Sequence, residues 1–266
     1  MPKKNPQNRR YPYLIPSFLI VTAILCHVAS LPLARAEALT SAQASTHAAE
    51  LGQTADAGTE YIDQMVFFGE STTSHLRSRG VLRDGAKTWQ VWADESGTKT
   101  LSSRLLSETL IYPKTGEHLT IAQAVAAERP TYLVLSFGLN NLSGFIGSKA
   151  LYVNNYKKLI QAIQQASPDT KILLQSVYPV SSACTSFSVD GKTVCAYTRT
   201  LNGWLRELAA EYDNVRYVDS ASVLYNEDGM LAAEYDAGDG VHLTTVAYTR
   251  ILAYLRTHAW LEAPSS

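Results

Sequence analysis

Three short stretches carry side chains whose types and spacing suit nucleophilic acyl chemistry. Gly69-Glu70-Ser71 puts a serine directly after the apolar run Gln64-Met65-Val66-Phe67-Phe68. A serine at a strand-to-helix turn exposes its hydroxyl, and the N–H groups that open a helix lack intrahelical acceptors, so they can hold a developing oxyanion. The same residue type is also a favoured helix N-cap. Gly138-Leu139-Asn140-Asn141 follows a second apolar run; its glycine permits close backbone approach and an asparagine amide can donate to negative charge, although such residues also simply make turns. Asp239-Gly240-Val241-His242 offers a histidine that could take a serine proton, with an aspartate three residues earlier to hold its other ring nitrogen. The bland alternative is a surface Asp-Gly turn with an incidental histidine. His75, four residues after Ser71, is a rival base on the same helix face, but it has no nearby aspartate in sequence.

These residues need a scaffold that brings them to one edge. Strands are expected at 64–68, 89–92, 132–136, 171–177 and 215–219, mostly as continuous aliphatic and β-branched runs suited to strands buried on both faces. Helical stripes fall between and after them, at 150–166 (Tyr152, Tyr156, Leu159, Ile160, Ile163), 197–211 (Leu201, Trp204, Leu205, Leu208) and 245–258 (Val246, Ile251, Leu252, Leu255). Such alternation implies βαβ units and a parallel sheet covered on both faces, with any site at the carboxyl ends of the strands. The Gly-x-Ser-x-Gly elbow of α/β-hydrolases is absent, because Thr73 stands where the second glycine would be.

In their order and placement the three stretches resemble the blocks of the SGNH (GDSL-type) hydrolase family, over roughly residues 62–258. The Gly-Asp-Ser block is similar to Gly69-Glu70-Ser71, the Gly-x-Asn-Asp block to Gly138-Leu139-Asn140-Asn141, and the Asp-x-x-His block to Asp239-Gly240-Val241-His242. Glu70 and Asn141 each replace a family aspartate. The resemblance implies a three-layer α/β/α flavodoxin-like fold with a five-stranded parallel sheet. It also implies Ser71 as nucleophile, His242 as base, Asp239 as its orienter, and an oxyanion hole from the Ser71 N–H, the Asn140 side chain and a glycine N–H after the second strand, for which Gly97 is chosen. The expected activity is ester hydrolysis through an acyl-enzyme, on short-acyl esters, O-acetyl among them, of a small molecule or glycan. The alternatives are a lysophospholipase or thioesterase-like lipid hydrolase, and a non-catalytic envelope module on the same fold. Trp89, Trp92 and the many tyrosines are compatible with sugar stacking, though core packing is the commoner fate of aromatics.

The remaining sequence bounds partners and compartment. Lys3, Lys4, Arg9 and Arg10 precede an apolar segment from Leu14 to Val28, and Ala34-Arg35-Ala36 is a small-x-small cleavage site before Glu37. Residues 1–36 therefore read as a secretory signal peptide, with a retained anchor as the alternative. Residues 37–57 read as a linker or loose lead-in, and 58–262 as the hydrolase domain. The expectation is an exported protein, periplasmic or extracellular, without stable membrane insertion once cleaved. Removing the five basic residues of the leader leaves 18 basic against 24 acidic residues, a net charge of −6. Such a chain gains nothing from long-range attraction to polyanions, so nucleic acid is not an expected partner. No His-Glu-x-x-His or Cys-x-x-Cys spacing and no phosphate-cradling glycine loop is seen, so neither a metal nor a cofactor is expected. In an oxidising compartment Cys184 and Cys195 are expected to form a disulfide across a hairpin turning at Asp190-Gly191, a brace on a substrate-facing insert over 180–196.

Overall fold

The structure, a computed structural model, describes residues 49–261. The leader and the first part of the lead-in lie outside these residues. Five strands form one parallel sheet: β1 (Met65–Gly69), β2 (Val91–Trp92), β5 (Tyr132–Ser136), β6 (Lys171–Gln175) and β7 (Val215–Val218), in the order β2-β1-β5-β6-β7. The register pairs Gly69 with Ser136 at the carboxyl ends of β1 and β5. β3 (Thr109–Ile111) and β4 (His118–Thr120) make a separate antiparallel pair.

Each strand sends alternate residues to opposite faces, as a period of two requires. Val66, Phe68, Leu133, Leu135, Ile172, Leu174, Val215 and Tyr217 join one core. That core is closed by α3 (Ile121–Glu128), α5 (Lys149–Ala166) and α6 (Gly191–Ala209). Met65, Phe67, Val134, Leu173 and Val218 join the other, closed by α1 (Gly58–Asp63), α2 (Ser71–Ser78) and α7 (Thr245–Thr257). A short α4 (Leu142–Ile146) follows β5. The result is a three-layer α/β/α sandwich. Fully burying each Leu, Ile or Phe is worth about 1.5–3 kcal/mol, so both cores contribute substantially.

The expectation of a braced hairpin is corrected here. The segment 180–196 is not a hairpin, and no disulfide forms: Cys184 and Cys195 are free, buried thiols. Asp190 caps α6 instead, its side chain accepting the Thr193 N–H at 3.0 Å. An Asp-Gly pair serves either a tight turn or a helix start. The helical spacing of Val194, Thr198, Leu201, Leu205 and Leu208, all buried, decides for the helix. Cys195 lies on that buried face, its Sγ donating to the Val180 carbonyl at 3.2 Å. The described end of the lead-in makes contacts with the domain. Glu50 bridges to Tyr217 beside β7, and the Thr54 and Ala57 N–H groups donate to carbonyls at the end of α7.

Candidate active site

The carboxyl ends of β1 and β5 approach so closely at Gly69 that a Cβ there would lie 2.3 Å from both the Ser136 carbonyl oxygen and Thr73 Oγ1. Glu70 is the extended N-cap of α2, and Ser71 is the first helical residue. Its N–H is therefore among those without an intrahelical acceptor. The loop after β5 begins at Gly138, with φ +154° and Val177 Cγ2 only 2.6 Å from where a Cβ would stand.

This loop is clamped on two sides. Buried Glu70 accepts N–H groups from Gly138 and Leu139 at 3.0 Å and from Asn140 at 3.2 Å. From α5, the Tyr152 hydroxyl donates to the Phe137 carbonyl at 2.8 Å, and the Tyr156 hydroxyl accepts the Phe137 N–H at 3.1 Å. Burial pushes the Glu70 carboxyl up to about 8, against the opposing pull of its three backbone donors. Glu70→Ala strands the buried Gly138 and Leu139 N–H groups, each at about 1–3 kcal/mol, and the half-buried one of Asn140. The expected result is a loss of at least about 2 kcal/mol of unfolding free energy in a denaturant titration.

At the far end of the chain, Asp236 accepts the N–H groups of Gly238 and Gly240 at 2.8 and 2.9 Å and the Ser181 hydroxyl at 2.5 Å. This shapes the loop that carries Asp239 and His242. Gly240 has φ +79°, and a Cβ there would collide with the Cys184 backbone. Asp239 Oδ1 accepts the Val241 and His242 N–H groups at 2.9 and 2.8 Å, while Oδ2 meets His242 Nδ1 at 2.6 Å. His242 Nε2 lies 3.0 Å from Ser71 Oγ, across 171 residues of sequence. Burial raises the Asp239 carboxyl, but its bonds from the His242 ring and from the His242 and Val241 N–H groups outweigh that. They hold it well below the usual carboxylate range. Tyr248 of α7 ties the two halves together by donating to the Thr72 carbonyl at 2.6 Å.

A cleft of about 500 Å³ opens over Ser71 and His242, with Asn140, Phe187, Ser186 and Val241 on its walls. An ester carbon placed at Ser71 Oγ would meet a base on one side and N–H donors on the other, which suits acyl transfer. Of the residues singled out from sequence, Ser71, Asn140, Asp239 and His242 meet here. Gly97 does not offer the expected donor: its N–H is given to the Asp94 carbonyl at 3.0 Å within a turn. Thr100, from the same loop, is the residue that reaches the site, its Oγ1 accepting Asn140 Nδ2 at 3.3 Å. Trp92 is buried in the core, so it offers no face to a sugar. Ser186 and Phe187 show that part of the 180–196 segment does face the cleft, as a loop. The His75 ring lies against His242 rather than serving Ser71 from its own side, with ring centroids 4.5 Å apart. The Tyr152 and Tyr156 clamp went unread in the sequence. Its one signal is tyrosine instead of leucine at two positions of a core-facing stripe.

Among solved structures, a Streptococcus pneumonia protein provisionally described as a platelet activating factor aligns at 16% identity. The alignment covers 86% of this chain and 97% of that one, with a TM-score of 0.48. A Clostridium thermocellum family 3 carbohydrate esterase aligns at 14% identity, covering 73% and 93% of the two chains, with a TM-score of 0.45. A family two carbohydrate esterase from the same organism aligns at 15% identity, covering 78% and 63%, with a TM-score of 0.44. No curated protein sequence matches the chain. The profile of the GDSL-like Lipase/Acylhydrolase family matches residues 67–250, more than half of the sequence. With that match, this chain belongs to the GDSL-like lipase/acylhydrolase family and is an esterase of SGNH/GDSL type.

Proposed function

We propose that the chain is an exported serine esterase that removes a short acyl group, such as acetyl, from a neutral glycan. The observation that carries the mechanism is the unbroken line from Asp239 through His242 to Ser71, with contacts of 2.6 and 3.0 Å. His242 Nε2 takes the Ser71 proton as Oγ bonds to the ester carbon. The resulting oxyanion is held by the Ser71 N–H and the Asn140 amide. The C–O bond to the alcohol then breaks, and His242 returns the proton to the departing oxygen. Water repeats the sequence, its proton passing to His242 and then back to Ser71, and the carboxylic acid leaves.

The substrate class rests on the cleft wall. Among the described residues its ionisable members are Glu70, Asp239 and His242, with no lysine or arginine. An anionic substrate would find no countercharge there. Asn141, Ser143 and Ser186 supply hydrogen-bonding groups at the wall, as a hydroxyl-rich alcohol needs. Export rests on the basic, apolar and small-x-small order of residues 1–36. Among the described residues no helix is long and apolar enough to cross a membrane.

A fluorophosphonate probe followed by peptide mapping tests the mechanism, and covalent labelling of Ser71 is expected. Folded protein that takes up no label would defeat the serine-esterase reading. A chromogenic ester series from acetyl to decanoyl tests the acyl size, with acetyl expected to give the highest kcat/KM. A rise toward decanoyl would transfer the proposal to lipids. Within this mechanism Asn140→Ala removes one oxyanion donor, so kcat on the acetyl ester is expected to fall roughly 10²–10³-fold with little change in KM.

A further inference from the structure

His242 sits on a loop, and among the described residues its ring makes two hydrogen bonds, Nδ1 to Asp239 and Nε2 toward Ser71. Both points lie near the ring plane. A ring pinned this way still rocks about the line that joins the two nitrogens. Asp236 fixes the backbone of this loop through the Gly238 and Gly240 N–H groups, so the freedom that remains is that of the His242 side chain about its own bonds. Something must bear on the face of the ring if Nε2 is to stay aimed.

His75 is in that place. Its ring centroid is 4.5 Å from that of His242, with the planes 36° apart. It stands one helical turn after Ser71 on α2, so it belongs to the same rigid element as the serine hydroxyl. We propose that His75 is a positioning residue for the catalytic base, its flat ring bearing on the His242 imidazole and keeping Nε2 directed at Ser71 Oγ. This rests on the serine-esterase reading above.

The neighbour must also tolerate charge, because His242 becomes an imidazolium at each proton transfer. His75 Nδ1 is buried without a hydrogen-bond partner. A proton there would be an N–H with no acceptor, which selects the neutral tautomer protonated at Nε2. Burial first, then the charges of His242 and Arg79, lower the His75 pKa, with Asp239 pulling the other way. A neutral π-face beside a forming cation attracts it, whereas a second cation would oppose it. Misplacing a catalytic group by about 1 Å can cost on the order of 10²-fold, so loss of a partial restraint should cost about tenfold.

The test compares His75→Ala and His75→Phe with the unaltered chain, by the rate of fluorophosphonate labelling and by kcat and KM on an acetyl ester. Thermal midpoints check that each variant is folded. Phenylalanine keeps a flat ring against His242 and removes both nitrogens. The expected result is a roughly tenfold fall in labelling rate and kcat for His75→Ala, KM within twofold, and recovery of most of the loss in His75→Phe. If the unaltered chain takes up no label, the serine-esterase reading itself has failed. If it labels and His75→Ala keeps pace, or His75→Phe is as slow as His75→Ala, or the loss appears in KM alone, the positioning role is overturned while that reading stands.

Discussion

Replacing Ser71 with alanine is expected to lower kcat on an acetyl ester by on the order of 10⁴-fold or more, and to abolish fluorophosphonate labelling. Among the described residues that line the cleft, Ser71 carries the hydroxyl that His242 Nε2 meets, at 3.0 Å, so within the proposed mechanism its removal ends covalent catalysis outright. In residues that act as one unit, deleting the nucleophile costs nearly as much as deleting the whole set. What survives is direct attack by water in a cleft that still has oxyanion donors, which is worth roughly 10³–10⁴ over solution. The substitution removes one oxygen at the start of α2 and leaves a good helix former, so circular dichroism and the thermal midpoint should be nearly unchanged. Turnover by Ser71→Ala at the unaltered rate would sink the nucleophile assignment. A loss of only about tenfold would point to a base-activated water instead.

Much of this arrangement was legible before folding, for a physical reason. Strands buried on both faces are mostly apolar, so β1, β5 and the Ile172-Leu173-Leu174 centre of β6 stand out as runs, β7 less so because Arg216 interrupts it; β5, at Tyr132–Ser136, has the bounds expected of it. Residues that cluster at the carboxyl edge of such a sheet must sit just after those runs, which located Ser71 and Asn140. The contact between His242 and Asp239 was legible because the two lie three residues apart on the same loop.

The errors fall where local sequence serves two structures. Asp190-Gly191 turns a hairpin or caps a helix, and only the burial of a face that includes Val194, Leu201 and Leu205 separates them. Gly97 looked available because nothing local shows that its N–H is spent on Asp94. The pair β3 and β4 has three residues per strand, too few to display a period. The Glu70 clamp is a contact across 68–70 residues. Glu70 stands where the family block has aspartate, and the short motif does not show that the side chain braces another loop. Its longer side chain reaches three consecutive N–H groups of the loop that carries Asn140.

Asp239→Asn is expected to cut kcat by about 10³–10⁴-fold with KM little changed, although it alters one atom. In the unaltered chain Oδ2 accepts from His242 Nδ1, which places the ring proton on Nδ1 and leaves Nε2 bare to receive the Ser71 proton. An asparagine can present its NH₂ to that nitrogen and draw the proton to Nε2, the wrong tautomer for a base. The carboxylate also stabilises the imidazolium, which the amide cannot do. The folded-state pKa of Asp239 is depressed, so its contribution to stability is present above about 3.8 and is lost as pH falls through the lower folded value. Asp239 therefore stays ionised throughout the neutral range, and the Asn variant should show its loss of kcat at every pH from 6 to 9. Measuring kcat across that range decides the matter. An unchanged kcat would mean that the 2.6 Å contact merely shapes the loop. Activity recovered by raising pH would mean that the asparagine left a working base with a shifted titration, rather than one in the wrong tautomer.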